Sequence, residues 1–151
     1  MKIAIASDHG GFHLKQQINT YLAEEGYISH DLGTMSAASV DYPDFALQVA
    51  EAVAGGEYNL GIICCGTGIG VSIAANKVPG IRAAHCHDTF SARMSREHND
   101  ANVLTLGERV LGPGLALEVV AAFLQGSYAG GRHACRVEKI KAIEHKYCRQ
   151  G

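Results

Sequence analysis

The chain has 151 residues with a formal net charge of −2, and 47% of its residues are hydrophobic and 19% charged. These are the proportions of an ordinary globular protein, which excludes a disordered or fibrous chain. The length is sufficient for a core without disulfides, and we expect one domain over residues 1–151. The charge balance predicts no nucleic-acid surface, and every apolar stretch is shorter than the roughly 20 residues of a membrane span.

Cysteine content and the N-terminus bear on the compartment. The cysteines number five, an odd count, and no Cys-x-x-Cys pair occurs, which is typical of reduced thiols in a reducing compartment. The apolar run after Lys2 meets Asp8 too soon to be the apolar region of a signal peptide. We therefore predict a cytoplasmic protein.

Strand and helix patterns alternate from the first residues. Predicted strands cover 2–7, 27–33, 60–66, 81–87 and 102–107. Predicted helices lie between Gly11 and Gly26 and over 41–56, 69–77, 88–98, 113–126 and 137–147. This alternation predicts an α/β fold, a three-layer Rossmann-like sandwich around a five-stranded parallel sheet, with ligands bound at the loops that follow the strands. The glycine-rich turn over 126–134 suggests that the last helix reaches a neighbouring subunit.

Three glycines, Gly66, Gly68 and Gly70, follow the third strand and open a helix, where their amides can cup an anion. The alternative is a tight strand-to-helix turn. A Walker loop is excluded because no lysine follows the glycines, and the dinucleotide fingerprint is only half met because Val71 holds its third glycine position. Val71 also stands where a phosphatase loop needs arginine after Cys65.

Cys65 is the last residue of this predicted strand, where the positive end of a helix favours a thiolate that could act as a base. A small buried hydrophobe is the alternative for Cys65 and the better interpretation of Cys64. Strand alternation points these two neighbours to opposite faces. Thr67 offers a hydroxyl at the same place, or caps the helix.

Further polar residues follow other elements of the predicted sheet. Asp8 and His9 end the first strand, although Asp8 is equally an N-cap. Tyr42 is a ligand contact or the entry of a helix that Pro43 begins. His98 ends the fourth helix, where local structure is the more ordinary role for a histidine.

Arg132 and Arg136 are four residues apart on one face at the start of the last helix. This arrangement suits the recognition of a phosphate, and a solvated helix surface is the alternative. The run His85–Asp88, HCHD, looks like a metal cluster, but alternation turns Cys86 away and no second ligand pair follows at a zinc spacing. We expect no metal. We therefore predict a sugar-phosphate site around one crevice, formed by the Cys65 thiol, the glycine turn, His98 and the two arginines together.

Five motifs in chain order closely resemble the type B ribose-5-phosphate isomerases, in the family that also contains the galactose-6-phosphate isomerase subunits. The motifs are SDHGG, DYPDFA, CGTGIGVSIAANK, REHNDANVLTLGERV and GGRHACRVEKI, and they cover nearly the whole chain. The resemblance implies interconversion of ribose 5-phosphate and ribulose 5-phosphate without metal or organic cofactor. It also implies a homodimer or homotetramer whose active site is shared between subunits.

The same resemblance implies roles for individual residues. Cys65 matches the base that moves a proton between C2 and C1 through an enediolate, with the Thr67 hydroxyl beside it, and His98 matches the group that opens the furanose ring. The remaining residues would contact the substrate. Asp8 and Tyr42 would contact the sugar, and Arg109 would contact a further substrate atom. The phosphate would be held by His9, Arg132 and Arg136, and the enediolate by the amides of Gly66, Thr67, Gly68, Ile69 and Gly70, with Asn99 nearby.

Two alternatives stay open on the sequence. The first is isomerisation of a six-carbon sugar phosphate, such as allose 6-phosphate or galactose 6-phosphate. The second is a non-catalytic phosphate- or nucleotide-binding module, which would use the glycine turn but have no need of Cys65 and His98.

Overall fold

The structure, a computed structural model, describes residues 1–148. Its strands are β1 (Lys2–Ser7), β2 (Ile28–Asp31), β3 (Leu60–Cys65), β4 (Ala83–His85) and β5 (Val103–Gly107). Its helices are α1 (Phe12–Glu24), α2 (Tyr42–Ala54), α3 (Ile69–Ala75), α4 (Thr89–Asn99), α5 (Pro113–Gln125) and α6 (Arg132–Tyr147), with a single 3₁₀ turn at His9–Gly11 before α1.

The five strands form one parallel sheet in the order β2-β1-β3-β5-β4. Helices α1, α4 and α5 cover one face, and α2 and α3 cover the other. The strand β3 lies at the centre, and all six of its residues are buried, as expected for a parallel strand covered on both sides. The predicted three-layer α/β sandwich is confirmed.

Every predicted bound lies within two residues of the observed one except the start of the last helix, and two of the differences have an evident cause. The fourth strand covers Ala83–His85 rather than 81–87, because Ile81 still belongs to a turn in which its amide donates to the Val78 carbonyl. The last helix begins at Arg132 rather than at Val137. Its first turn is mostly exposed, so no apolar periodicity in the sequence marks this start.

Helix α6 contacts α4, and the carboxylate of Glu144 accepts hydrogen bonds from the Gly80 amide at 3.0 and 3.1 Å. That it also reaches a second subunit stays a prediction. Within residues 1–148, no helix has both the length and the apolar composition to cross a membrane. The cytoplasmic location likewise stays a prediction.

One charged side chain lies wholly inside the fold. Lys15 of α1 has no exposed surface, and its Nζ donates to Asp31 Oδ1 at 2.9 Å and to the Thr34 carbonyl. Asp31 also accepts from the Gly33 amide at 2.9 Å, so the pair fixes the chain as it leaves β2. A buried cation without its partners is costly, which makes this contact a structural requirement.

We predict that Lys15→Ala lowers the free energy of unfolding by about 3 kcal/mol, because it removes one member of a buried pair and leaves the other members without their donor. The measurement is urea denaturation followed by circular dichroism. Lys141→Ala is the matched control, since its ion pair with Glu138 at 2.7 Å is exposed and screened by solvent, so its loss should change the free energy of unfolding little. Equal losses in the two variants would contradict this interpretation.

Candidate active site

The site begins with a divergence of the chain at the carboxyl ends of neighbouring strands. After β1 the chain leaves to α1 on one face of the sheet, and after β3 it leaves to α3 on the opposite face. Such a topological switch point opens a crevice between the two loops. The loop after β1 carries Asp8 and His9, and the loop after β3 carries the glycine turn.

The two adjacent cysteines at the end of β3 have different surroundings. Cys64 is fully buried between the sheet and the α1–α5 layer, and burial raises the pKa of its thiol well above the ordinary value. Cys65 faces the α2–α3 layer and keeps 5% of its surface exposed. Its Sγ accepts a hydrogen bond from the Gly68 amide at 3.0 Å. Of the two thiols, Cys65 is therefore the one that has a backbone donor of the glycine turn directed at its sulfur.

The turn from Gly66 to Gly70 wraps around this sulfur. Gly68 has φ of +78°, in the left-handed region where glycine is strongly preferred. The Gly68 amide is engaged with Cys65, and the Ile69 amide donates to Thr67 Oγ1 at 3.2 Å. Thr67 therefore accepts a local hydrogen bond from the first helical residue, which agrees with the alternative interpretation of Thr67 as a helix cap. Because the Gly68 and Ile69 amides already have partners within the turn, fewer than five of its amides are available to a substrate.

Close backbone packing holds the neighbouring loops against this turn. A β-carbon on Gly10 would lie 3.1 Å from the Gly66 nitrogen, and one on Gly66 would lie 3.3 Å from the Arg109 guanidinium. A β-carbon on Gly70 would lie 2.7 Å from the ring of Tyr42. The loops after β1, β3 and β5 and the start of α2 thus meet at one place.

Asp8 and His9 lie at this place with defined partners. Asp8 is buried, and its Oδ1 accepts from the Gly11 amide at 3.1 Å, so it does cap the turn that precedes α1. His9 Nδ1 accepts from the Val40 amide at 3.2 Å, which ties the loop before α2 to the crevice. We call Asp8, His9, Tyr42, Cys65, Gly66–Gly70 and Arg109 the strand-end group.

The remaining predicted residues form a second cluster. His98 and Asn99 end α4, and Arg132 and Arg136 lie on the first turns of α6. The ring of His98 stacks on His133, with centroids 4.1 Å apart, and the Ala129 amide donates to the Glu97 carbonyl at 3.0 Å. We call His98, Asn99, Arg132 and Arg136 the helix-end group.

This helix-end group has the positive charge that a phosphate needs. The pKa of His133 is lowered, first by loss of solvation and then by the positive charges of His98, Arg132 and Arg136. Both arginines are exposed, so their guanidinium groups are accessible to an anion. Two guanidinium groups on one helical face suit a phosphate dianion.

The two groups lie at opposite edges of the sheet. Helix α4 leaves the carboxyl edge after β4 and ends at the amino edge, where Arg82 Nε donates to the Asn99 carbonyl at 3.0 Å. Its 11 residues span about 16 Å. The prediction that all these residues surround one crevice is therefore wrong within a single chain.

Sequence reasoning missed two residues beside the glycine turn. Glu108 donates its amide to the Cys65 carbonyl at 2.9 Å, and its carboxylate accepts from the Leu14 amide at 2.5 Å, at the start of α1. Its position directly after β5 was the available signal. His85 was considered only as a metal ligand, yet its ring lies against Gly68.

The run His85–Asp88 is not assembled as a metal site. Cys86 is buried in the layer opposite to the two histidine rings, and burial raises its pKa to about 11. Asp88 instead caps α4 by accepting from the Ser91 amide at 2.6 Å. Across residues 1–148, no three His, Cys, Asp or Glu side chains are grouped so that they could hold a metal ion.

Comparison with known proteins gives a consistent result over nearly the whole length. The family model of the ribose/galactose isomerases matches residues 3–140. A putative sugar phosphate isomerase from Bacillus subtilis is 54% identical over 97% of this chain and 99% of its own. Ribose-5-phosphate isomerase B from Escherichia coli is 54% identical over 96% and 97% of the two chains.

A solved structure of ribose-5-phosphate isomerase B from Clostridium thermocellum superposes with a TM-score of 0.96 at 61% identity, covering 97% of this chain and 99% of that one. Sequence and fold therefore agree along their whole common length. The chain belongs to the ribose/galactose isomerase family.

Proposed function

We propose that this chain is an aldose–ketose isomerase that interconverts D-ribose 5-phosphate and D-ribulose 5-phosphate through an enediolate. The observation that carries the proposal is Cys65 Sγ at the end of β3, 3.0 Å from the Gly68 amide and beneath the glycine turn. The identity to ribose-5-phosphate isomerase B proteins supports the same substrate pair.

The reaction moves two protons, one from C2 to C1 and one from the C2 hydroxyl to the C1 oxygen, and leaves the rest of the sugar intact. Cys65 as thiolate takes the proton from C2 of the open-chain aldose; the electron pair of that C–H bond forms the C1–C2 double bond, and the carbonyl pair moves onto the C1 oxygen to give the enediolate. The C2 hydroxyl proton then passes to the C1 oxygen, and the thiol returns its proton to C1 as the ketose carbonyl forms at C2. A base poised near the working pH is best suited to such a shuttle.

The charge of the intermediate needs fixed donors. Amides of the turn that are free to face the substrate stabilise the enediolate oxygen, and donors of this kind typically contribute about 2.7–4 kcal/mol each in oxyanion holes. Thr67, two residues after Cys65 in the same turn, adds an exposed hydroxyl. Asp8 and Tyr42 lie at the rim, where they can orient the sugar hydroxyl groups.

We further propose that the active site is completed by a second copy of the chain. The helix-end group and the strand-end group lie about one α4 length apart, so one subunit cannot place both on a five-carbon sugar. In a two-fold dimer, each subunit presents its helix-end group to the partner's strand-end group, and two equivalent sites form. His98 then opens the sugar ring, and Arg132 and Arg136, with His9, hold the phosphate.

Exposed apolar residues support this association. Ile73 of α3 is 58% exposed, and Ile143 of α6 is 61% exposed. A cavity of about 670 Å³ lies between α6 and the segment that connects α3 to β4, with Ile81, Ile140 and Asn99 in its wall. Apolar side chains next to a polar site are what a subunit interface buries.

The first prediction concerns the substrate. Purified protein assayed side by side with ribose 5-phosphate, allose 6-phosphate and galactose 6-phosphate should give the highest kcat/KM with ribose 5-phosphate. A higher value with a six-carbon substrate would reassign the substrate. Binding of the sugar phosphates without turnover of any of them would instead identify a binding module.

The second prediction concerns the base. Cys65→Ser should lower kcat by about 100-fold to 10,000-fold, the range of general acid–base catalysis, while ribulose 5-phosphate still binds. Exchange of solvent deuterium into the sugar should fall in parallel. Cys148→Ser, at an exposed cysteine, is the matched control and should keep full activity. Equal loss of binding and turnover in Cys65→Ser would indicate a structural thiol.

The third prediction tests the shared site. Cys65→Ser and His98→Asn subunits, each inactive alone, should recover about one quarter of normal activity when mixed by refolding, because half of the dimers are hybrids with one intact site. Cys65→Ser mixed with Asp8→Asn is the control. Both changes lie in the strand-end group, so every hybrid site stays defective. No recovery in the first mixture, or equal recovery in both, would contradict a shared site.

A further inference from the structure

His85, the last residue of β4, lies directly beneath the glycine turn. A β-carbon on Gly68 would lie 2.5 Å from Cε1 and 2.7 Å from Nδ1 of the His85 ring, and 2.7 Å from the backbone carbon of Leu106. Gly68 is thus held between the imidazole and the end of β5. The same glycine donates its amide to Cys65 Sγ, so the ring is one residue removed from the reacting sulfur.

The imidazole has a fixed position of its own. Nδ1 lies 3.2 Å from Oγ1 of Thr105, a residue of β5 with no exposed surface. The ring of His87 stands edge-on to it, with centroids 4.2 Å apart. An edge strand of three residues has little else to fix its end, so this hydrogen bond determines where the ring lies.

The groups that face His85 are Thr105, His87 and the backbone of Gly68. Burial lowers the pKa of His85, and the nearby His87 lowers it further. The lowered pKa favours the neutral imidazole, which acts on the turn through its shape and its hydrogen bond with Thr105.

We propose that His85 is a positioning residue for the isomerisation, and that its ring, anchored by Thr105, keeps the Gly68 amide directed at the Cys65 sulfur. This inference rests on the proposed function of Cys65 as the base. Gly68 has a positive φ that only glycine adopts readily, and glycine has the most backbone conformational freedom of any residue. Without the His85 ring, Gly68 loses the packing contact on one side, and its amide is free to rotate away from Cys65 Sγ.

The test is His85→Ala, with kcat, KM and the alkylation of Cys65 by iodoacetamide measured over a range of pH. We expect kcat to fall by about tenfold, with KM for ribose 5-phosphate within about twofold of the unaltered enzyme, since a misplaced catalytic group affects turnover more than binding. The pH midpoint of Cys65 alkylation, followed on its peptide by mass spectrometry, should rise because the thiolate loses its donor. A loop that merely became more open would speed alkylation at every pH without moving the midpoint.

Further variants separate positioning from general stability. His85→Gln keeps an amide that can bond to Thr105 and should recover most of kcat, whereas Thr105→Val removes the anchor at almost constant shape and should move kcat and the midpoint in the same direction as His85→Ala. His13→Ala, at an exposed histidine of α1, is the matched control and should change neither quantity. If His85→Ala does not fold, Thr105→Val decides.

The proposal is overturned by an unchanged kcat and midpoint in His85→Ala or, where that variant is unfolded, in Thr105→Val. It is equally overturned by a rise in KM at constant kcat. Failure of the proposed function is distinguishable from failure of this proposal. Even if the unaltered protein had no isomerase activity, comparing its alkylation midpoint with that of His85→Ala would show whether the midpoint depends on His85.

Discussion

Backbone hydrogen bonds on both sides hold the end of β3, and the position of the thiol depends on them. The Asp8 amide donates to the Cys64 carbonyl at 3.3 Å, from the β1 side. On the β5 side, the amides of Glu108 and Arg109 donate to the carbonyls of Cys65 and Gly66 at 2.9 and 3.0 Å. These bonds continue the sheet past its last strand residue, so Cys65 belongs to a rigid element although it lies beside a glycine turn. A base must be held in place to transfer a proton efficiently, and a central strand provides this better than a loop.

The same parallel sheet explains why the rest of the site is distant. Every strand runs in one direction, so each connecting helix must return to the amino edge before the next strand starts. The last residues of α4, among them His98, are therefore carried to the edge opposite Cys65. Helix α6 packs on α4 and adds Arg132 and Arg136 to that edge. The second subunit that we propose for the site is thus called for by this topology.

Much of the fold could be predicted from the sequence because apolar periodicity and glycine positions report on buried elements. All five strands and six helices were expected, including the opposite orientations of Cys64 and Cys65. The apolar pattern starts α6 only at Val137, because none of the five residues before it is buried, although their spacing had already placed Arg132 and Arg136 on one face at the start of this helix. The strand β4 was predicted to be longer than it is for a related reason. Apolar character over 81–87 indicates burial, but it does not show where an edge strand stops pairing.

The composition of the site was easier to predict than its arrangement. Polar residues after strands predicted the neighbourhood of Asp8, Cys65 and Tyr42, and the close approaches at Gly10 and Gly70 agree with it. Motifs carry no information on which edge of the sheet a helix end occupies, so the sequence did not show that His98 lies at the edge opposite Cys65 within one chain. His85 was hidden for another reason: its role depends on a contact with Gly68, 17 residues away, which no local pattern reveals.

The proposed division of the site has a consequence for how the substrate acts on the assembly. The reacting carbons of a ribose phosphate lie at one end of the molecule and the phosphate at the other, so a bound sugar contacts the strand-end group of one subunit and the helix-end group of its partner. A ligand that binds the dimer and not the separated subunits stabilises the dimer by mass action. In this arrangement, the arginines beside His133 supply the positive charge that the phosphate dianion meets. Under the proposed division, substrate binding and subunit association are linked through the phosphate, while the chemistry at Cys65 depends on the turn within each subunit.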